Sequence, residues 1–247
     1  LTAALATGMA QANNKKKVQC PVSHAQLKQA ISTAQSLDNG GFGFNMWASV
    51  VNRAGVVCAV ARSGDGPGDQ WPGSRVISAQ KANTANAFSL PDFALSTANL
   101  WAAVQPGGSL FGLQHSNPVD TKNAYRGPFK RYGNANDPLV NKKIGGVNVF
   151  GGGLALYDAG GTLVGAVGVS GDSSCADHNI AWRVRDILAH DYVPAGVGSP
   201  EDNIIYDVEN GFGHPECGVS DEPTVNTGVT TSCPTNDGAT ASCVMPN

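Results

Sequence analysis

An α+β fold is predicted for this 247-residue chain by two β-hairpins and by amphipathic segments around them. One hairpin joins apolar runs at 154–157 and 162–170 through a Gly-rich connection, and the other joins runs at 46–51 and 56–61. Apolar residues recur at helical spacing in several other segments. Because no strand–helix–strand crossover is found, helices packed against an antiparallel sheet are expected and a dinucleotide-binding fold is not.

Four helices are predicted in chain order. The first follows the cap residue Ser23, and the second covers residues 74–88. A third begins after the cap residue Ser89 and runs to about residue 104. The fourth follows the turn at 171–174.

Composition excludes several classes of function. The chain is 41% hydrophobic and 14% charged with 31 glycines, which is typical of a compact, loop-rich globular protein. A net charge of -3 provides no electrostatic footprint for a nucleic acid, so no nucleic-acid partner is expected. No apolar run reaches the roughly 18 residues of a transmembrane segment.

An exported protein is expected. Residues 1–12 are interpreted as the remnant of a signal peptide, because Ala10-Gln11-Ala12 fits the small-x-small pattern of a cleavage site. A periplasmic or secreted location is therefore predicted, and six cysteines agree with an oxidising compartment.

The cysteine spacing matches neither a zinc site nor covalent haem attachment, so disulfides are expected. Six cysteines allow fifteen pairings. The hypothesis is Cys233–Cys243, Cys175–Cys217 and Cys20–Cys58, with buried free thiols, above all Cys58, as the alternative.

The chain is divided into a domain at 13–190 and a disulfide-stapled extension at 191–247. Within the domain, residues 105–146 form an insertion with little periodicity but many aromatic and basic residues. A loop of that length is usually functional or disordered. The composition favours an ordered lid or a partner-contacting insertion.

Four segments resemble the signatures of one family. They are VVNRAGVV at 50–57, AQKANTANAF at 79–88, GGGLAL at 151–156, and VGAVGVSG at 164–171 followed by Asp177. The chain resembles the GlcG/HbpS-like family, which includes the C-terminal domain of PduO, over about residues 23–188.

The resemblance implies a profilin-like α/β/α domain with a five-stranded antiparallel sheet and assembly into a homo-oligomer. It also implies an exported protein that binds haem b or a related tetrapyrrole non-covalently, for scavenging, storage or sensing. Two alternatives stay open. One is an enzyme that degrades haem or acts on a small oxygenated metabolite, and the other is an accessory structural subunit of an exported complex.

A non-covalent haem usually needs an axial ligand. His115 is the first choice as the ligand of the haem iron, since it lies in the insertion beside aromatic residues. An ordinary loop histidine is the alternative. His24, at the start of the first helix, is the second choice, and His178, His190 and His214 are expected to be structural or exposed.

Further ligand contacts are expected between the second helix and a glycine-rich sheet edge. Lys81, Thr84 and Phe88 lie on one helical face, and the resemblance places Gly151, Gly152 and Gly153 opposite them. These residues would form a shallow site for a planar anion, with Arg126, Lys130 and Arg131 over its carboxylates. Ordinary core packing of that face, or a Lys81 side chain reaching out to water, are the alternatives.

Overall fold

The structure, a computed structural model, describes residues 19–245. The predicted signal-peptide remnant at 1–12 lies outside these residues. The helices are α1 (His24–Gln35), α2 (Ser74–Phe88), α3 (Leu113–Ser116), α4 (Thr121–Ala124), α5 (Ser174–Ile187) and α6 (Glu222–Ser232). The strands are β1 (Trp47–Asn52), β2 (Val57–Arg62), β3 (Phe93–Ala94), β4 (Gly153–Tyr157), β5 (Leu163–Ser170) and β6 (Ala195–Gly196).

The main sheet is antiparallel, with strand order β2-β1-β5-β4, and β3 pairs with β6 in a small parallel sheet. The five-stranded sheet implied by the resemblance is therefore not found in residues 19–245. Beside β4, the chain that follows α5 adds only an isolated bridge between Tyr157 and Asp191. Pro194, which lacks a backbone N–H, follows shortly after this bridge.

Helices cover both faces of the main sheet. On one face, α1 and α5 bury Leu27, Ile31 and Trp182 against alternate residues of β5 such as Val167. On the other face, α2 packs through small residues, and Ala79 and Ala82 belong to the same cluster as Ala166. A Cβ at Gly168 would overlap the carbonyl oxygen of Ser78, so glycine lets α2 approach the sheet this closely.

The predicted hairpins and three of the predicted helices are confirmed, with α2 at the predicted bounds and α1 capped by Ser23. The third helix, expected from Ser89 to about residue 104, is wrong. Residues 89–104 form β3 and two 3-10 turns instead. The hydroxyl of Ser89 accepts a hydrogen bond from the amide of Leu95, which folds the chain into a loop rather than capping a helix.

The three predicted disulfides are present as Cys20–Cys58, Cys175–Cys217 and Cys233–Cys243, and the described residues contain no free cysteine. The alternative of a free Cys58 thiol is therefore wrong. Cys175–Cys217 fastens the C-terminal extension to the first turn of α5, and Cys233–Cys243 closes a loop within the extension.

The extension completes the core on the α1–α5 face. The indole N–H of Trp182 donates to the carbonyl oxygen of Cys233 at 2.8 Å, and Arg183 donates to that of Cys243 at 2.7 Å. Val229 of α6 is fully buried in the same cluster. None of the helices within residues 19–245 combines the length and the apolar character needed to cross a membrane.

The 105–146 segment is ordered and contains α3, α4 and a 3-10 turn at 129–131. A buried ion pair between Arg75 of α2 and Asp137 fastens it to the main domain. Asn83 of α2 donates a further hydrogen bond to the carbonyl oxygen of Gly146 at 2.8 Å.

Candidate functional site

Lys81 lies on the face of α2 that packs against the sheet and is only 1% exposed. Its ammonium donates to Asp177 Oδ2 at 2.6 Å and to the carbonyl oxygen of Val169 at 3.1 Å. The other carboxylate oxygen of Asp177 accepts hydrogen bonds from the amides of Gly171 and Asp172, at 3.1 and 2.9 Å. The lysine therefore neither reaches water nor faces an open pocket, but forms a buried ion pair between α2 and α5.

Burial moves the pKa of both partners towards their neutral forms. It lowers the pKa of Lys81 from its ordinary value, while the charge of Asp177 acts in the opposite direction. It raises the pKa of Asp177 to about 6, against the effects of Lys81 and of the Asp172 amide.

The glycine segment fills the space where the shallow site was expected. A Cβ at Gly153 would overlap Thr97 and the carbonyl oxygen of Lys81, and one at Gly152 would overlap that of Val169. A Cβ at Gly151 would overlap the carbonyl oxygen of Ser174. These glycines allow the backbone to pass between α2 and α5, so the expected opening between helix and sheet edge is closed by the protein's own atoms.

The other two α2 positions also contact protein. The hydroxyl of Thr84 donates to the carbonyl oxygen of Gln80 at 2.8 Å and accepts from the amide of Asn148 at 3.0 Å. Phe88 is half-buried and packs on an apolar cluster that includes Leu110 and Leu113 of the insertion. The end of α2 and the segment that carries His115 therefore share one apolar cluster.

His115 lies on α3 at the surface. Its side chain makes no hydrogen bond within residues 19–245, so both ring nitrogens are accessible. Phe111, four residues earlier, is 63% exposed. This part of the insertion thus presents both an accessible imidazole and an exposed aromatic ring.

His24 is half-buried at the start of α1, and its Nε2 lies 3.0 Å from the carbonyl oxygen of Gly133. A carbonyl can only accept, so Nε2 carries the proton and Nδ1 is the nitrogen with a free lone pair. His24 therefore connects α1 to the insertion, and only Nδ1 could serve as a metal ligand without breaking this contact.

A surface cavity of about 350 Å³ lies in the insertion and includes Arg126, Arg131, Asn136, Asp137 and Asn141 in its lining. The charge of Asp137 is compensated, because Arg75 Nε donates to it at 2.9 Å within their ion pair. Arg126 is exposed, and its side chain has no hydrogen-bond partner in the described part of the chain. The cavity thus offers uncompensated positive charge to an anion.

The structure brings together a pair that sequence reasoning missed. The Oγ of Ser174 lies 2.8 Å from Nε2 of His214, whose Nδ1 lies 2.7 Å from the carbonyl oxygen of Pro215. Nδ1 therefore donates, and Nε2 accepts the hydroxyl proton. Burial lowers the pKa of His214 to about 4, so the ring is too weak a base to activate a serine effectively. The pair fastens the extension to α5, and no sequence spacing indicated it.

The predicted structural role of His178 agrees with its surroundings. It is fully buried, and its Nε2 accepts a hydrogen bond from the amide of Ile204 at 3.2 Å. Burial lowers its pKa to about 4.

Replacing His214 with Gln should make the free energy of unfolding less sensitive to acid. The unfolded chain protonates His214 near pH 6.5 but the folded chain only near pH 4. The stability that depends on the neutral ring is therefore fully present above about pH 6.5 and is lost as the pH falls towards 4. We expect wild type to lose about 3 kcal/mol more than the variant across this interval.

The measurement is urea unfolding at a series of pH values, expressed as the difference between the variant and wild type. Asp177 and Asp186, whose pKa values burial raises to about 6, titrate in the same interval with the opposite sign, and the difference cancels their effect. Parallel pH profiles for the two proteins would contradict the assignment of a neutral, buried His214.

The sequence matches a family model described as "Haem degrading protein HbpS-like" over residues 22–185. This range is about two-thirds of the chain and extends from the residue before the α1 cap to the last turns of α5. The chain belongs to the HbpS-like family. All the predicted site residues lie inside the HbpS-like region, whereas His214 and α6 lie in the extension beyond it.

Several solved structures are similar to this HbpS-like chain. Protein ORFY of Klebsiella pneumoniae is 24% identical, with 72% of this chain and 97% of that chain covered and a TM-score of 0.47. The haem complex of PduOC is 26% identical, with 66% of this chain and 89% of that chain covered and a TM-score of 0.45. A double mutant of HbpS from Streptomyces reticuli is 17% identical, with 77% of this chain and 100% of that chain covered and a TM-score of 0.45. Curated proteins provide no match to the chain.

Proposed function

We propose that this protein binds haem b non-covalently and serves as an exported haem-binding protein for scavenging, storage or sensing. The observation that carries the proposal is the family match, which covers residues 22–185 and whose description names haem as the molecule acted upon. Three disulfides support an oxidising location outside the cytoplasm.

The proposed ligand of the haem iron is His115. Support comes from its exposure and from the absence of a hydrogen-bond partner for its ring within residues 19–245, because a neutral imidazole needs a free nitrogen to coordinate iron. The exposed ring of Phe111 would add apolar contact to the macrocycle. His24 is the second candidate, since its Nε2 already contacts Gly133.

The haem propionates are proposed to bind at the cavity that Arg126 and Arg131 line. Guanidinium groups suit carboxylates because they can donate two parallel hydrogen bonds. Lys81, Thr84 and the glycines at 151–153 are not part of this proposal, since they are occupied by contacts within the protein.

Titration of the purified protein with haemin should produce a shifted, saturable Soret band. His115→Ala should weaken binding by about tenfold or more and alter the band, because the axial ligand is lost. Arg126→Gln should weaken binding while leaving the band position unchanged, since it removes a propionate contact and not the ligand. Absorption spectroscopy across the Soret region measures both effects.

His190→Ala is the matched control, because His190 is a partly exposed histidine outside the insertion. An unchanged titration of His115→Ala together with loss of the shifted band in His24→Ala would assign the iron to His24. If neither variant differs from the control, both ligand assignments are wrong. If wild type gives no saturable shift, the haem proposal itself is wrong.

Haem breakdown is the second candidate function, and the family description supports it directly. If the protein degrades haem, peroxide or a reductant should bleach the Soret band of the complex faster than that of free haem. Bleaching at or below the rate of free haem favours binding without catalysis.

A homo-oligomer is proposed as well. The side chains of Phe42, Phe44 and Trp71 form an exposed aromatic surface, with ring centroids 5.3 Å apart in the first pair and 5.6 Å in the second. Clustered exposed aromatic rings of this kind are typical of contact surfaces.

A further inference from the structure

Three aspartates meet where the C-terminal extension folds over the end of α5. Asp186 lies in the last turn of α5, Asp191 follows the helix, and Asp237 lies in the loop at 234–240. Each contributes a carboxylate oxygen that lies within 4.8 Å of the others. Asp186 and Asp191 are each 2% exposed, whereas Asp237 is exposed and leaves the cluster open to solvent on one side.

The cluster contains more acceptor oxygens than donors. The hydroxyl of Thr240 has one proton, yet it lies 2.9 Å from Asp186 Oδ2, 3.2 Å from Asp237 Oδ1 and 3.2 Å from the carbonyl oxygen of Gly238. The amide of Thr240 donates to Asp186 Oδ1 at 3.0 Å. Several oxygens thus converge without enough protons to satisfy them.

One carboxylate oxygen of the cluster has no hydrogen-bond partner in the described part of the chain. Asp191 Oδ2 accepts from the amides of Gly238 and Asp237, at 3.2 and 3.4 Å, but Asp191 Oδ1 is buried without a hydrogen bond. A buried carboxylate oxygen without a partner is destabilising unless a proton or a cation satisfies it.

Within residues 19–245, no basic side chain forms an ion pair with any of the three carboxylates, although the charge of Arg183 acts on Asp186 from a longer distance. The ion pairs of the described chain are Arg75–Asp137, Lys81–Asp177 and Arg185–Asp202, and none includes a member of this cluster. Arg183, one turn before Asp186 on α5, instead donates to the side-chain oxygen of Asn39 and the carbonyl oxygen of Cys243.

The loop that carries Asp237 is held at both ends. The Cys233–Cys243 disulfide closes it, and the amide of Asn236 donates to the carbonyl oxygen of Asp191 at 3.1 Å. Gly238 has a φ of 78°, which glycine adopts readily. The oxygens are therefore held in place by the fold and do not depend on a mobile surface chain.

We propose that Asp186, Asp191 and Asp237 form a calcium-binding site that fastens the C-terminal extension to the end of α5. Calcium would be bound by the carboxylates together with the oxygens of Gly238 and Thr240 and with water. The unpartnered Asp191 Oδ1 would become a ligand, and a divalent cation would reduce the repulsion among three negative charges.

The chemistry of the candidate ligand atoms determines which class of cation the site would bind. All of them are oxygens, which favour hard cations over zinc or copper, and the nearby Cys233 and Cys243 are unavailable as thiolates because they form a disulfide. Ca²⁺ accepts six to eight oxygens in irregular arrangements, whereas Mg²⁺ requires a nearly ideal octahedron. Carboxylates with a carbonyl and a hydroxyl from an irregular loop therefore fit calcium better.

The site is tested with metal-free full-length protein that contains its disulfides and no haem. Isothermal titration calorimetry should detect one Ca²⁺ per chain, with a dissociation constant on the order of 10⁻⁴ to 10⁻³ M, as in extracellular calcium modules. Calcium should also raise the midpoint of thermal unfolding, because it binds only the folded chain. Mg²⁺ at equal concentration should have a much smaller effect.

Asp237→Asn is the decisive variant. Asp237 is exposed, so the substitution does not disturb packing, and asparagine has nearly the same size as aspartate but no charge. Its affinity for Ca²⁺ should fall by about tenfold or more, since charge count sets affinity at such sites. The control Asp92→Asn, at an exposed aspartate elsewhere, should bind like wild type. Asp191→Asn provides a second variant within the cluster. Absence of binding in the millimolar range, or equal binding by wild type and Asp237→Asn, would overturn the proposal.

Discussion

Asp177→Ala should lower the free energy of unfolding by about 3–5 kcal/mol, the usual effect of removing one partner of a buried ion pair. The substitution leaves the Lys81 ammonium buried, with the carbonyl oxygen of Val169 as its one remaining hydrogen-bond acceptor within residues 19–245. It also removes the acceptor for the amides of Gly171 and Asp172, at the turn between β5 and α5. Urea unfolding followed by tryptophan fluorescence at neutral pH measures the loss.

A double-mutant cycle separates the ion pair from simple loss of packing. Lys81→Met keeps most of the side-chain volume, and Asp177→Asn keeps an acceptor for the two amides. The double variant should be more stable than the sum of the two single losses predicts, by about 1 kcal/mol or more. Asp92→Ala, at an exposed aspartate, should stay within about 0.5 kcal/mol of wild type. Additive losses would show that the two residues do not stabilise one another.

Local patterns were sufficient to predict most regular elements. The helix at 74–88 and the β4–β5 hairpin have a clear period and clear turn residues, so α2 and the hairpin form where expected. The segment at 89–104 has apolar residues as well, but Leu95, Leu100 and Val104 contact Val147 and Val149 from a distant part of the chain. Spacing alone could not distinguish those contacts from one helical face.

The helix α6 was missed because its buried face is largely polar. Asn226 is buried but donates to the side-chain oxygen of Asn179 at 2.7 Å and accepts from Asn203 at 2.8 Å. Such a position is satisfied by partners far away in sequence and does not contribute to an apolar stripe. Periodicity in hydropathy therefore cannot detect this helix.

The role of Lys81 illustrates why the site was harder to predict than the fold. Helical spacing placed it correctly on the same face as Thr84, but its partner Asp177 lies 96 residues later in the chain. A lysine on an apolar stripe is compatible with a ligand contact, with a side chain reaching water and with a buried ion pair. Only the packing of α2 and α5 on opposite sides of the glycine segment decides among them.

Removing the Cys175–Cys217 disulfide through Cys175→Ala with Cys217→Ala should lower the free energy of unfolding by about 4 kcal/mol in the chain-entropy account. The bridge closes a loop of 42 residues, and it holds His214 beside Ser174.

Removing Cys233–Cys243, which spans 10 residues, should lower the free energy of unfolding by about 3 kcal/mol, because a shorter loop restricts the unfolded chain less. Urea unfolding of the two double variants without reductant compares them directly. Cys175, Cys233 and Cys243 are buried and Cys217 is partly buried, so the second variant controls for most of the lost packing. A larger loss on removing Cys233–Cys243 would contradict this prediction. It would mean that the bridge stabilises the protein mainly by supporting native-state contacts around Trp182 and Arg183, and less by restricting the unfolded chain.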